Sequence, residues 1–145
     1  VINLQQETFN EFMADAFPLL VANNAEIDLF GLPLNMDFAA YQLAEEADIL
    51  RIYTVRENNR LIGYCVFVIT DHAHHKDLRM ASQDVIYISP NHRSCGLRLL
   101  RYTEERLKEE GVNGIMQSAP VISRLGPVLE RLGYDKMETN YFRRI

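Results

Sequence analysis

Residues Ile86 to Val112 read "IYISPNHRSCGLRLLRYTEERLKEEGV". An apolar, β-branched run stops at Pro90, a short basic stretch with His92, Arg93, Ser94 and Gly96 follows, and leucines then recur at helical spacing up to Gly111. A strand that feeds a helix leaves backbone N–H groups unpaired at the helix N-terminus, where the helix dipole adds partial positive charge. Such a place suits phosphate. Gly96 lets a ligand approach the backbone, Arg93 can supply a charge-assisted bond, and Arg98 and Arg101 can reach further oxygens from the first turns. The same residues also describe a plain strand-to-helix turn with its arginines in solvent.

Working outward, "VINLQ" reads as a first strand. "ETFNEFMADAFPLLVANNAEI" carries Phe9, Phe12, Met13, Phe17 and Leu20 at helical spacing, with Thr8 as a cap and Pro18 as a kink or division. "LFGLPLNMDF" is an apolar loop whose large residues suit either the core or a lid. "DFAAYQLAEEADIL" is a helix capped by Asp37. "LRIYTVRE" and "LIGYCVFVIT" are strands joined at Asn58-Asn59, a pair suited to a tight hairpin. "DHAHHKDLRMASQ" is expected as a polar connection and "DVIYIS" as a core strand. "GIMQSA", "SRLGPVLERLG" and "METNYFRRI" follow as strand, helix and final strand. Strands and helices so mixed predict one α/β layer-on-sheet domain over residues 1–145.

The chain has 145 residues, 48% hydrophobic and 24% charged, as a single soluble domain would have. No apolar run approaches the ~20 residues of a membrane span, and "VINLQQETF" does not read as a signal peptide. A net charge of −5 argues against broad attraction to nucleic acid or anionic lipid. Cys65 and Cys95 are the only cysteines, which suits a reducing cytoplasm better than a disulfide framework. "DHAHHKD" offers His72, His74, His75, Asp71 and Asp77, but no second ligand cluster accompanies them, so a solvated hairpin is expected and no metal.

The layout, with "IYISPNHRSCGLRLL" in the middle and "LGPVLERLGY" near the end, resembles the GCN5-related N-acetyltransferases, most strongly from Asp84 to Tyr134. The resemblance implies a central mixed, mostly antiparallel sheet flanked by helices, with acetyl-CoA as co-substrate. It implies that the stretch Arg93, Ser94, Cys95, Gly96, Leu97 and Arg98 cradles pyrophosphate. It also implies that the backbone of Ile86, Tyr87 and Ile88 bonds the pantetheine arm like an added strand, which needs that strand to splay from "GIMQSA". The family's loop pattern is Arg or Gln, two residues, Gly, one residue, then Gly or Ala. An ungapped count from Arg93 puts Arg98 at the last, small position. Taking Gly96 as the last loop glycine instead leaves the usual spacing to Gly111 and shortens the loop by about two residues. That register predicts a helix beginning near Gly96 with Leu99, Leu100, Thr103 and Leu107 inward.

Two expected residues are missing. The family's usual tyrosine acid would fall on Leu129, and an asparagine often found near the start of the same helix would fall on Ile122. Tyr141 on the final strand is the substitute acid, with Ser118 and Ser123 as lesser ones, and Asp84 stands near where relatives carry a carboxylate base. Neither cysteine suits an acyl-enzyme, so the resemblance implies direct attack of an amine acceptor, helped by backbone N–H near Ile88. An interaction or CoA-binding module without catalysis is the other reading, and the final strand is free to pair across a dimer.

Overall fold

The computed structural model describes residues 1–145. Alternating apolar residues form one five-stranded sheet in the order β1 (Ile2–Glu7), β2 (Leu50–Glu57), β3 (Arg60–His72), β4 (His75–Ile88) and β5 (Gly114–Met116). The first four strands are antiparallel, and β5 joins β4 in parallel, so the sheet is the mixed, mostly antiparallel one expected.

Helices cover both faces. Helices α1 (Phe9–Met13), α2 (Phe17–Ile27) and α3 (Phe38–Glu46) bury Phe9, Phe12 and Leu20 against Ile52, Tyr64, Val66 and Tyr87. Helix α4 (Gly96–Glu109) buries Leu99 and Leu107 against Tyr53, Cys65, Phe67 and Ile88. Helix α5 (Leu125–Arg131) follows β5.

The local signals hold. The Thr8 hydroxyl accepts from the Glu11 N–H at 3.2 Å, and the Asp37 carboxylate from the Ala40 N–H at 3.0 Å. Pro18 falls in the first turn of α2, where its missing N–H leaves no helical bond unmade. Asn58 and Asn59 both take positive φ, 49° and 68°, as the hairpin requires. Gly111 ends α4 at φ 87°, the Val112 N–H returning to the Leu107 carbonyl at 3.1 Å.

Two expectations need correction. The stretch "DHAHHKDLRMASQ" is not a connection: β3 and β4 run on through it and reverse only at Ala73-His74. From Asp71 to Asp77 it is a mostly exposed ribbon beyond the helices, and burial returns from Leu78 on, with Ala81 in the core. The strand expected over "METNYFRRI" does not form, and the residues after Gly133 hold no regular structure. Phe142 of that stretch instead packs edge-on against Phe30, ring centroids 4.9 Å apart. The apolar loop before α3 divides: Leu34 and Met36 pack under α1 and α2, while Leu29, Phe30 and Leu32 stay exposed.

Candidate active site at the open edge of the fourth strand

Strand β4 is paired unequally along its two edges. Against β3 its partners run from His75 to Ile88. Against β5 they are limited to Met80, Ala81 and Ser82, opposite Gly114, Ile115 and Met116. Past Ser82 this edge has no strand beside it, because β5 ends at Met116. The Ser89 N–H bonds the Ile62 carbonyl of β3 at 2.8 Å. Peptide groups alternate in direction along a strand, so those of Tyr87 also face β3, and those of Ile86 and Ile88 face the open side. Backbone groups at a sheet edge seek partners, and an extended ligand with amides can supply them.

A bulge sits at the start of this free stretch. Val66 pairs with Val85 and Phe67 with Gln83, which leaves Asp84 as the extra residue. The insertion switches the side-chain parity of β4. Ala81 before it and Ile86 and Ile88 after it all face α4, while Val85 and Tyr87 face α1–α3. Asp84 is turned toward α3 as well, where it accepts a hydrogen bond from the Tyr41 hydroxyl at 2.5 Å. Burial, then the bond to Asp84, holds the Tyr41 phenol far above its ordinary ionisation. Around them stand Tyr64, with its hydroxyl buried, and Tyr87, 6.2 Å away between ring centroids.

The end of β4 lies against β3 without room for a side chain. A Cβ on Gly63 would stand 2.9 Å from Ile88 Cγ1 and 3.1 Å from the Tyr87 carbonyl oxygen, so glycine is needed there for close approach. Beyond Ile88 the chain makes a 3₁₀ turn, Pro90–Cys95, that runs directly into α4 at Gly96. The register predicted from Gly96 and Gly111 is therefore the one adopted, and Leu99, Leu100, Thr103 and Leu107 are all buried.

The turn's basic side chains serve the fold. His92 Nε2 lies 3.0 Å from a Glu57 carboxylate oxygen at the end of β2. Arg93 Nε donates to the Ile88 carbonyl at 3.1 Å, its guanidinium lies 5.7 Å from the Tyr87 ring centre, and its NH2 is 2.6 Å from both oxygens of Glu26 on α2. The Glu26 bond leads in keeping the Arg93 guanidinium ionised. The Gly96 N–H is spent on the Arg93 carbonyl. Cys95 is buried in the core beside Ile88, while Ser94, Leu97 and Arg98 are exposed. Arg98 and Arg101, on the first turns of α4, make no ion pair, and they are the free cations near the turn.

Other candidates stand apart. Tyr141 lies 92% exposed in the unstructured stretch, bonded to no other side chain. Leu129 is buried in α5 and Ile122 is exposed. Ser123 closes a local turn on the Pro120 carbonyl, and the Ser118 N–H bonds Gln83. The histidines cluster at the β3–β4 turn, His72 and His75 ring centres 5.1 Å apart, with no group of three or more side chains set to hold a metal. No helix is long and apolar enough to cross a membrane. Tyr41 and the bulge escape sequence reading: the bulge appears only when both strands are counted, and Tyr41 lies far from Asp84 in the chain.

A mixed sheet whose parallel pairing stops just before a bulge, with a helix starting beyond the open strand end, fits the fold of an acetyltransferase. The chain belongs to the Acetyltransferase (GNAT) family, whose sequence profile matches residues 10–124. Solved structures are similar over the full length. A ribosomal-protein-alanine N-acetyltransferase from Brucella melitensis biovar Abortus 2308 is 18% identical at a TM-score of 0.74, covering 100% of this chain and 99% of that one. A predicted acetyltransferase with acetyl-CoA from Clostridium acetobutylicum is 17% identical at 0.73, covering 99% and 96%. AAC(6')-Iy, in complex with the bisubstrate analog CoA-S-monomethyl-acetylneamine, is 14% identical at 0.73, covering 100% and 98%. Among curated proteins none matches this chain in sequence.

Proposed function

We propose that the protein transfers the acetyl group of acetyl-CoA to an amine by direct attack, in the gap between β4 and β5. The observation that carries this reading is the open edge of β4: beyond Ser82 it has no strand partner on the side away from β3, and the N–H groups of Ile86 and Ile88 and the Ile86 carbonyl face that side, the Ile88 carbonyl being taken by Arg93. The pantetheine arm carries two amides and can pair with that edge as a short strand would. Its pyrophosphate then falls near the start of α4. Exposed Arg98, and Arg101 a turn on, are its main cationic partners, because Arg93 is bonded to Glu26. Amides of the stretch from Ser94 to Leu97 contribute less than in an open loop, since the Gly96 N–H is already used.

In the reaction the neutral amine attacks the thioester carbonyl, the new C–N bond forms and the C–S bond breaks. A free N–H on the β4 edge, that of Ile86 or Ile88, stabilises the developing oxyanion. Asp84 takes the proton the amine gives up, directly or through one water. Water or the Tyr141 hydroxyl returns a proton to the CoA thiolate, since Leu129 has none to give. A thiol pKa of about 8.5 makes this group a fair leaving group with modest help. The carboxylate of Asp84 among tyrosine rings favours an acceptor that arrives as a cation. Two free thiols suit a reducing, cytoplasmic setting.

Calorimetric titration with acetyl-CoA tests the first requirement. Thiol release then tests turnover with sisomicin, an alanyl N-terminal peptide and 1,4-diaminobutane as amines. Binding with amine-dependent thiol release is expected. Absence of acetyl-CoA binding would reject the reading and favour an interaction module of the same fold.

A further inference from the structure

The geometry points to Tyr41 as the residue that positions Asp84 for proton transfer, through a hydroxyl bond to one carboxylate oxygen that leaves the other for the amine. The inference rests on the reading of Asp84 as the base. It starts from how poorly the bulge alone would hold that side chain. Asp84 is exposed, it is the one residue between Gln83 and Ile88 without a partner in β3, and its carboxylate accepts from the Tyr41 hydroxyl at Oδ2. Backbone pairing fixes Val85 and Gln83 on either side, but the Asp84 carboxylate could rotate if nothing held it.

Tyr41 is itself held firmly. Its ring stacks on Phe9 at 5.4 Å with planes 6° apart. Phe9 meets Phe38 edge-on at 6.1 Å, and the Phe9 N–H donates to Glu45 of α3 at 2.7 Å. Strand β1's exit, α1 and α3 are thus tied together behind one phenol, and that phenol ends on the bulge. Its ionisation is pushed up first by burial and then by Asp84, so at neutral pH it is protonated and donates. Tyr41 therefore never competes for the amine's proton. Tyr64 from β3 lies near the pair, and Tyr87 from β4 lies beside Tyr64. A hydrogen bond worth one fixed rotamer and one occupied lone pair directs the remaining oxygen, which is what a base needs to meet a nucleophile in line.

The test is a kinetic double-mutant cycle with Tyr41→Phe and Asp84→Asn, using whichever of the three amines named above turns over fastest. Phenylalanine keeps the stack on Phe9, so the melting temperature and the KM for acetyl-CoA should stay at parent values while kcat falls about tenfold. Asp84→Asn should lower kcat ~10²-fold or more, and the double variant should be no slower than Asp84→Asn alone. A second readout needs no acceptor: with ¹³Cζ-labelled tyrosine, the Tyr41 resonance at neutral pH should shift in Asp84→Asn, because the phenol loses its bond to a carboxylate. Parent-like turnover in Asp84→Asn would sink the reading of Asp84 as base, and this inference with it. An inactive Asp84→Asn beside a parent-like Tyr41→Phe would overturn the role of Tyr41 alone. So would losses that multiply in the double variant, or a Tyr41 resonance indifferent to Asp84→Asn. If none of the amines reacts in the parent protein, both fall.

Discussion

The two edges of β4 make opposite use of the same backbone. Toward β3 the strand is paired along most of its length, broken by the bulge at Asp84 and an irregularity near the hairpin turn, and Gly63 gives up its side chain so that Ile88 can approach. Toward β5 it is paired at three residues and then left open. Side chains follow the same division: the core beneath the closed edge is filled with Cys65, Phe67, Leu99 and Leu107, while the open end gathers the polar pair Asp84 and Tyr41. Stability resides on one edge, and the other is kept unsatisfied for a ligand. The difference teaches that a strand can be both framework and site when a bulge separates the two duties.

The largest expected effects lie on the closed side. Leu99→Ala or Leu107→Ala removes a fully buried side chain between α4 and the sheet and should cost about 2–5 kcal/mol in denaturant unfolding. If either costs under ~1 kcal/mol, the α4 face is not the core it is taken to be. Gly63→Val should cost about 1–3 kcal/mol, because the new Cβ meets backbone as well as the Ile88 side chain. It should also push the end of β4 outward and weaken acetyl-CoA binding, which would join the two edges in one variant.

A buried ion pair at the far edge of the sheet sharpens the contrast. Glu7 accepts from Arg56 at 2.9 and 3.0 Å and from the Thr54 hydroxyl, and Arg56 also reaches Asp15 at 2.8 Å. Burial pushes the Glu7 carboxyl up, but the bonds from Arg56 and Thr54 outweigh it and hold its pKa below the ordinary 4.5. A group with a lowered folded pKa contributes its stability above the unfolded value and loses it as pH falls through the folded one. Unfolding free energy should therefore drop as pH falls below about 4.5. Glu7→Gln should flatten part of that slope and cost about 1.5–3 kcal/mol at neutral pH. An unchanged acid slope in the variant would remove Glu7 from the account.

Smaller effects are expected on the open side's approach. Arg98→Ala should weaken acetyl-CoA by about 1 kcal/mol or more, read as a fivefold or larger rise in Kd. Arg93→Ala should weaken it less, because the guanidinium is committed to Glu26 and the Ile88 carbonyl. The reverse order would return Arg93 to the phosphate role that the sequence suggested.

Much of the fold was legible because its signals are local. Thr8, Asp37, Asn58-Asn59 and Gly111 each act within a few residues, and the α4 leucines declare their face through spacing alone. The run "DHAHHKDLRMASQ" was misread because its first half is an exposed ribbon with no buried face, and in the second half only Ala81 is fully buried. "METNYFRRI" has the composition of a strand, but strand formation also needs a neighbouring edge, which composition does not provide. In the proposed site, Asp84 and the Ile86–Ile88 edge came from the resemblance to the family. Tyr41 did not, since only the tertiary fold brings α3 to the bulge. Arg93 was read as a free cation because Glu26 is distant in the chain.

The account turns on the edge groups of β4, and amide hydrogen exchange reads them one at a time. In the free protein the Tyr87 and Ser89 amides should be protected by β3, and those of Ile86 and Ile88 should exchange at least tenfold faster. Saturating acetyl-CoA should slow Ile86 and Ile88 while leaving Tyr87 and Ser89 little changed. If acetyl-CoA binds and the Ile86 and Ile88 amides exchange as before, the open edge of β4 is not where it is held.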